Sequence, residues 1–230
     1  MSFLEKYNEG QTLLIDKDLE WTSFDVVKKI KFLIKCKKVG HAGTLDPLAT
    51  GLLVLCTGKN TKKINDIQNQ NKEYTGEFTL GKTTPSHDLE TEFIESNDLD
   101  GVTEEKINDL RKNFIGEQFQ RPPRFSAVKV KGKRAYQFAR KNETIEIKEK
   151  KINIHEFKIS EINLPNISFM ISCTKGTYIR SIARDFGKAL GCGAVLTKLR
   201  RTKIGEFDVK HAFKIDDFVN KINKEKIENS

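Results

Sequence analysis

The chain has no apolar run near the roughly 20 residues that a membrane-spanning helix needs. Its longest is the short stretch 51–56 among 230 residues, which excludes a bilayer span and implies a soluble protein. The amino terminus, Met1-Ser2-Phe3-Leu4-Glu5-Lys6, lacks the basic segment, apolar core and small-residue cleavage site of an export signal, so the cytoplasm is the expected compartment. Cysteine is scarce. Cys36, Cys56, Cys173 and Cys192 form no C-x-x-C pair, and none has a histidine at zinc-finger spacing, which argues against a disulfide framework or structural zinc. Each sits among apolar or small residues and is expected as a buried, reduced thiol. Internal repeats and low-complexity linkers are also missing.

What the chain does have is positive charge. Lysine and arginine total 41 against 32 acidic residues, a formal net charge of +9. That balance favours a polyanionic partner and leaves RNA, DNA and an anionic membrane open. The length suits one large domain with appendages or two small ones.

Strands and helices interleave irregularly, which predicts an α+β fold. Residues 12–15 read as a strand. Thr22-Ser23 then offers a helix cap, followed by Val26, Val27, Ile30, Leu33 and Ile34 at helical spacing. A loop of small residues over 40–51 leads into 52–55, short and apolar enough for a buried strand. Helices are expected over 60–68, around Ile107, Leu110 and Phe114, and over 136–140. Alternation predicts strands over 74–80 and 166–173, with further strands over 125–130 and 144–159 and a polar loop over 82–101. Ile179, Ile182, Ala183, Phe186 and Leu190 mark a helix that Gly191 stops. The lysine-rich segment from Asp216 reads as an edge helix that frays over 228–230.

One segment is hard to explain as packing. Gly40-His41-Ala42-Gly43-Thr44-Leu45-Asp46-Pro47-Leu48-Ala49-Thr50-Gly51 sets a single carboxylate in a loop of small residues between a helix and a buried strand. Small side chains let a ligand approach the backbone, and Pro47 stiffens the chain just past the acid. This loop resembles the G-H-x-G-x-L-D-P-x-A-x-G signature of the bacterial tRNA pseudouridine-55 synthases, the TruB family. Five further segments follow in order. Lys72-Glu73-Tyr74 is similar to the family's tyrosine motif, and 81–88 to its G-x-x-T-x-T-x-D stretch with altered content. The segment 122–129 with Gly132 and Tyr136 resembles P-P-x-F-S-A-x-K-x-x-G-x-x-x-Y. Gly176-Thr177-Tyr178-Ile179-Arg180-Ser181 resembles the arginine motif, and Leu199-Arg200-Arg201 the leucine motif.

The resemblance implies the pseudouridine synthase fold: a mixed, mostly antiparallel central sheet flanked by helices, with an active-site cleft. It implies isomerisation of uridine 55 in the T-arm of tRNA by a monomer that needs no obligatory protein partner, no metal and no cofactor. Asp46 is then the catalytic carboxylate, and Arg180 the cation that keeps it ionised against desolvation, which can raise a carboxylate pKa by ~3–5 units. Tyr178 and Arg180, two apart, are expected at a strand-to-helix junction. Tyr74 would stack on the target base, while Leu199 and Val128 would wall out water. The base must be flipped out of the T-loop, with His41 filling or supporting the space it leaves. Lys17, Lys129, Lys131, Lys133, Arg134, Arg200 and Arg201 are the expected phosphate contacts.

The family's amino-terminal K-P-x-G-x-T-S motif here reads Lys17-Asp18-Leu19-Glu20-Trp21-Thr22-Ser23, which loses proline and glycine and adds two negative charges beside the expected RNA groove. Many members carry a C-terminal PUA-type RNA-binding domain, for which this chain stops too soon. The expected division is a catalytic domain over 1–215 and a basic tail over 216–230. Competing readings are a non-catalytic tRNA-binding or folding chaperone, a pseudouridine synthase with another RNA target, and an acid hydrolase. The last needs a second positioned carboxylate, for which Asp88 is the nearby candidate, in a loop that shows no sign of fixed geometry.

Overall fold

The computed structural model describes residues 3–228. The chain forms two compact units: residues up to Tyr74 together with those from Leu199 onward, and Thr75–Lys198 between them. The strands Lys72–Leu80 and Ala194–Ile204 each begin in one unit and end in the other.

In the first unit the sheet order is Phe213–Lys214, Thr12–Lys17, Ala49–Thr57, then the 199–204 part of Ala194–Ile204. Strand 12–17 runs antiparallel to 49–57, and 199–204 runs parallel to it. Strand 49–57 is thus central, which explains its nearly unbroken apolar run. Alternate residues feed two cores. Leu53 and Leu55 pack with Val26, Ile30 and Ile34 of the helix Ser23–Ile34 and with Ile215, Phe218 and Ile222 of the helix Ile215–Glu228. Leu52, Val54 and Cys56 pack with Ile67 and Ile204 on the other face.

The helix Ser23–Ile34 starts where its sequence says it should. Thr22 and Asp25 form a reciprocal capping box, Thr22 Oγ1 accepting from Asp25 N at 3.0 Å and Asp25 Oδ2 accepting from Thr22 N at 3.1 Å. The C-terminal segment from Asp216 is helical; of the fraying expected over 228–230, Glu228 still belongs to the helix and 229–230 lie outside the described residues.

In the second unit the strands Lys150–Asn163 and Asn166–Cys173 form a long antiparallel pair, with Gly116–Gln120 on the outer edge of 150–163. Phe78, Phe114, Phe157, Phe169 and Phe186 interlock between this sheet and its helices at centroid distances of 4.2–6.5 Å. The helix Ile179–Leu190 ends at Gly191, whose left-handed backbone (φ 82°) closes it as the sequence predicts.

The mixed, mostly antiparallel sheet flanked by helices is the expected α+β architecture. Several elements differ in detail. The helix expected over 60–68 is a 3-10 turn, Gly58–Lys63, running into a short α-helix, Ile64–Asn69. Only Lys129–Val130 of the strand expected over 125–130 pairs, because the Ser126 and Val128 carbonyls accept instead from Tyr136 and Ala135. The strand expected over 144–159 is Lys150–Asn163. Within the loop expected over 82–101, Lys82–Thr83 and Glu95–Ser96 pair as a small ribbon. The strands Gly116–Gln120 and Ala194–Ile204 carry no counterpart in the sequence reading.

Among the described residues, no helix is long and apolar enough to cross a membrane.

Candidate active site

Asp46 is half-buried in the loop between Val39–His41 and Ala49–Thr57, and every part of that loop is tied down. Ser23 Oγ, itself buried, accepts from Leu45 N at 2.9 Å and donates to Leu45 O at 3.1 Å. Asp46 O accepts from Ala49 N at 3.0 Å, which closes the turn across Pro47. Pro47 O accepts from Glu20 N at 2.9 Å and from Lys17 Nζ at 3.3 Å. The altered amino-terminal motif therefore still serves the loop. Glu20 occupies the family's glycine position with φ 67°, the left-handed region that glycine enters without cost. Of its added charges, Asp18 is met by Lys214 at 2.9 Å.

Lys17 does not reach for phosphate in this structure. It is fully buried, and its three donor hydrogens go to the carbonyls of Asp18 (2.9 Å), Trp21 (2.7 Å) and Pro47 (3.3 Å). Burial pulls its pKa down to about 8, against the opposing fields of Asp46 and Asp18. Arg200 is likewise engaged, in a bidentate pair with Asp16 at 2.9 and 2.8 Å. Burial alone would raise the Asp16 carboxyl, but hydrogen bonds from Arg200 and Lys214 outweigh it and hold it below the usual range.

Arg201 points elsewhere. Only 1% exposed, it donates from Nε to Leu52 O at 2.8 Å and from its terminal nitrogens to Gly43 O at 3.0 Å and Thr44 O at 3.4 Å. Burial lowers its pKa, opposed by Tyr74, to which it is hydrogen-bonded, and by the charge of Asp46. The first unit thus brings Asp46, Tyr74, Lys17 and Arg201 into one electrostatic cluster. Sequence reasoning placed both cations on phosphate. Strand alternation would have separated Arg200 from Arg201, had 194–204 been read as a strand.

His41 ends the strand Val39–His41, and burial, with the field of Arg201, lowers its pKa although it hydrogen-bonds the Gly43 backbone. Leu199 lies half-buried in register with Ala49. Gly51 permits the close approach of the two strands: a Cβ there would lie 2.3 Å from Arg201 O, and its φ is 102°.

In the second unit Arg180 is buried on the first turn of the helix Ile179–Leu190. It contacts the buried Asp88 carboxylate at 3.4 Å. Asp88 is fixed: its Oδ1 accepts from Glu90 N at 2.9 Å, its carbonyl accepts from Thr84 Oγ1 at 2.7 Å, and it bridges Leu196. This corrects the expectation of an unfixed acid. Tyr178, extended at φ −101° and ψ 111°, caps that helix after the turn that follows Asn166–Cys173, the junction expected of it. Gln120 holds it on both sides, accepting from Tyr178 N at 2.8 Å and donating to Tyr178 O at 3.1 Å. Lys150 Nζ lies 4.4 Å from the Tyr178 ring centre.

Val128 is half-buried, whereas Lys129 begins an exposed hairpin, Lys129–Val130 with Lys133–Arg134, whose Lys131 and Gly132 both have positive φ (49° and 81°). Lys129, Lys131, Lys133 and Arg134 are all exposed on it. Among the described residues, no group of three or more histidine, cysteine, aspartate or glutamate side chains could hold a metal ion.

Residues 31–179 match the sequence family described as TruB family pseudouridylate synthase (N terminal domain). The chain belongs to the TruB family. Residues 180–230 of this TruB-family chain match the tRNA pseudouridylate synthase B C-terminal domain. A protein of Flavobacterium johnsoniae named tRNA pseudouridine synthase B is 56% identical over 221 residues, covering 93% of this chain and 96% of that protein. A Phocaeicola vulgatus protein of the same name is 47% identical over 228 residues, covering 96% and 97%. Among solved structures, a chain from a Cbf5-Nop10-Gar1 complex superimposes with a TM-score of 0.76 at 28% identity; the match takes in 99% of the TruB-family chain, which spans 59% of that longer one.

Proposed function

We propose that this chain isomerises uridine 55 in the T-arm of tRNA to pseudouridine, with Asp46 as the reacting carboxylate. In the reaction the bond from the ribose C1′ to N1 breaks and one from C1′ to C5 forms, C5 loses a proton and N1 gains one. An aspartate suits this because it ionises at about pH 4 in water and needs no activating base. The observation that carries the reading is the loop. Ser23, Lys17 and Arg201 pin the residues on either side of Asp46, so the carboxylate stands on a rigid support with two buried cations acting on it.

Tyr74 stacks on the flipped base, His41 fills the space the base leaves, and Arg180, oriented by Asp88, completes the catalytic set with Asp46 and Tyr74. Leu199, Val128 and Tyr178 line the base, and Lys129 with its hairpin neighbours meets phosphate. The chain works in the cytoplasm as a monomer without an obligatory protein partner.

The test is to incubate the purified chain with an unmodified tRNA transcript and map pseudouridine by carbodiimide labelling and primer extension, beside Asp46→Asn. Modification at position 55 by the wild type alone supports the reading. Binding of the transcript with every uridine unchanged hands the protein to the chaperone reading, and modification elsewhere assigns it another target.

A further inference from the structure

We infer that Arg201 is a positioning residue for this reaction: its guanidinium locks the Asp46 loop and Tyr74 to one another, so that carboxylate and ring are presented as one unit. The inference rests on Asp46 being the reacting carboxylate. Its basis is the fork geometry of one side chain. Arg201 spans Leu52 O, Gly43 O and Thr44 O at 2.8, 3.0 and 3.4 Å and also bonds the side chain of Tyr74, so a single planar group joins a strand, a loop and the tyrosine. A lysine has no such planar fork.

Scaffolding alone does not account for it. Burying a charge to 1% exposure is a costly way to hold a loop, and apolar residues of similar volume do it as well or better. The three carbonyl partners are neutral and leave the positive charge uncancelled. The charge of Asp46 acts on it. The glycines around it fit the same purpose: Gly43, at φ 116°, has the guanidinium 3.6 Å from where a Cβ would stand, and Gly51 lets the Arg201 backbone close on the neighbouring strand.

The experiment measures single-turnover pseudouridine formation and transcript affinity for wild type, Asp46→Asn, Arg201→Met and Arg201→Lys, with thermal midpoints for each. Arg201→Met should lose on the order of 100-fold in rate, the scale of misplacing a reacting group by about 1 Å, with transcript affinity within about threefold of wild type. Arg201→Lys should recover part of the rate. An Arg201→Met rate within about twofold of wild type, or a loss confined to affinity, overturns the inference alone so long as Asp46→Asn is inactive. An active Asp46→Asn overturns it together with the aspartate reading.

Tyr74→Phe supplies an arm that does not depend on an arginine variant folding. It removes one tether of the guanidinium, so amide hydrogen exchange over residues 43–46 should speed up by roughly threefold or more. Unchanged exchange there shows that the tyrosine and the loop are not locked through Arg201, and the inference falls.

Discussion

Lys17 and Arg201 grip the same short loop from its two ends, Lys17 donating to Pro47 O at 3.3 Å and Arg201 to Gly43 O at 3.0 Å. Both stand in register with Gly51, one on each neighbouring strand. The loop is therefore clamped at both ends, and Asp46 has little freedom between the clamps.

The middle of the clamp is Ser23, whose buried hydroxyl serves both the N–H and the C=O of Leu45. Ser23→Ala should leave two buried backbone groups unpaired and cost about 1–3 kcal/mol. For a chain of this size that lowers the thermal midpoint by roughly 2–4 °C per kcal/mol, readable by calorimetry. The single-turnover rate should fall with it.

Glu20 sits at φ 67°, where a side chain is strained. Glu20→Gly should stabilise the protein by about 1 kcal/mol, and Glu20→Ala should not, since it keeps the Cβ. A urea titration of the two variants gives the answer. A glycine variant no more stable than the alanine one would mean that the loop relieves the strain by other contacts.

Acid should destabilise the second unit through His87. Its burial, with Arg184 and Arg180 nearby, pushes its pKa from 6.5 down to about 4. The folded state thus binds this proton less readily than the unfolded one. Stability is unaffected by His87 above about pH 7 and declines as pH falls from 6.5 towards 4, by at most about 3 kcal/mol. His87→Asn suits the left-handed backbone at φ 63° and should flatten that decline in urea titrations at pH 7 and 4.5.

The hairpin bearing Lys129 should govern the salt dependence of binding. Lys129→Ala should weaken transcript affinity and reduce the slope of log affinity against log salt by about 1, with the single-turnover rate at saturation unchanged. Filter binding across a salt series measures both; an unaltered slope would remove Lys129 from the RNA-binding surface.

Local signals were legible in the sequence. The Thr22 cap and the Gly191 stop depend on neighbours a few residues away, and each appears where the sequence puts it, whereas the loop expected over 40–51 is shortened at both ends by the strands Val39–His41 and Ala49–Thr57. What escaped reading depends on distant partners. The strand Ala194–Ile204 carries Lys198, Arg200, Arg201 and Lys203, so it looks like a solvated segment until Leu199 is paired with Ala49. That one omission turned Arg201, a buried tether, into a phosphate contact. Asp88 escaped partly for the same reason: its carboxylate is held locally by the Glu90 N–H, but its charge partner is an arginine far along the chain.

The first unit is discontinuous in the chain, and this orders its assembly during synthesis. Residues 75–198 leave the ribosome as one uninterrupted stretch, whereas the segment holding Asp46 must wait for residues 199 onward to complete its sheet. At ~5–20 residues per second the wait is on the order of ten seconds. The carboxylate loop is therefore among the last parts of the molecule to be set, and it stays without its guanidinium tether until Arg201 has been translated.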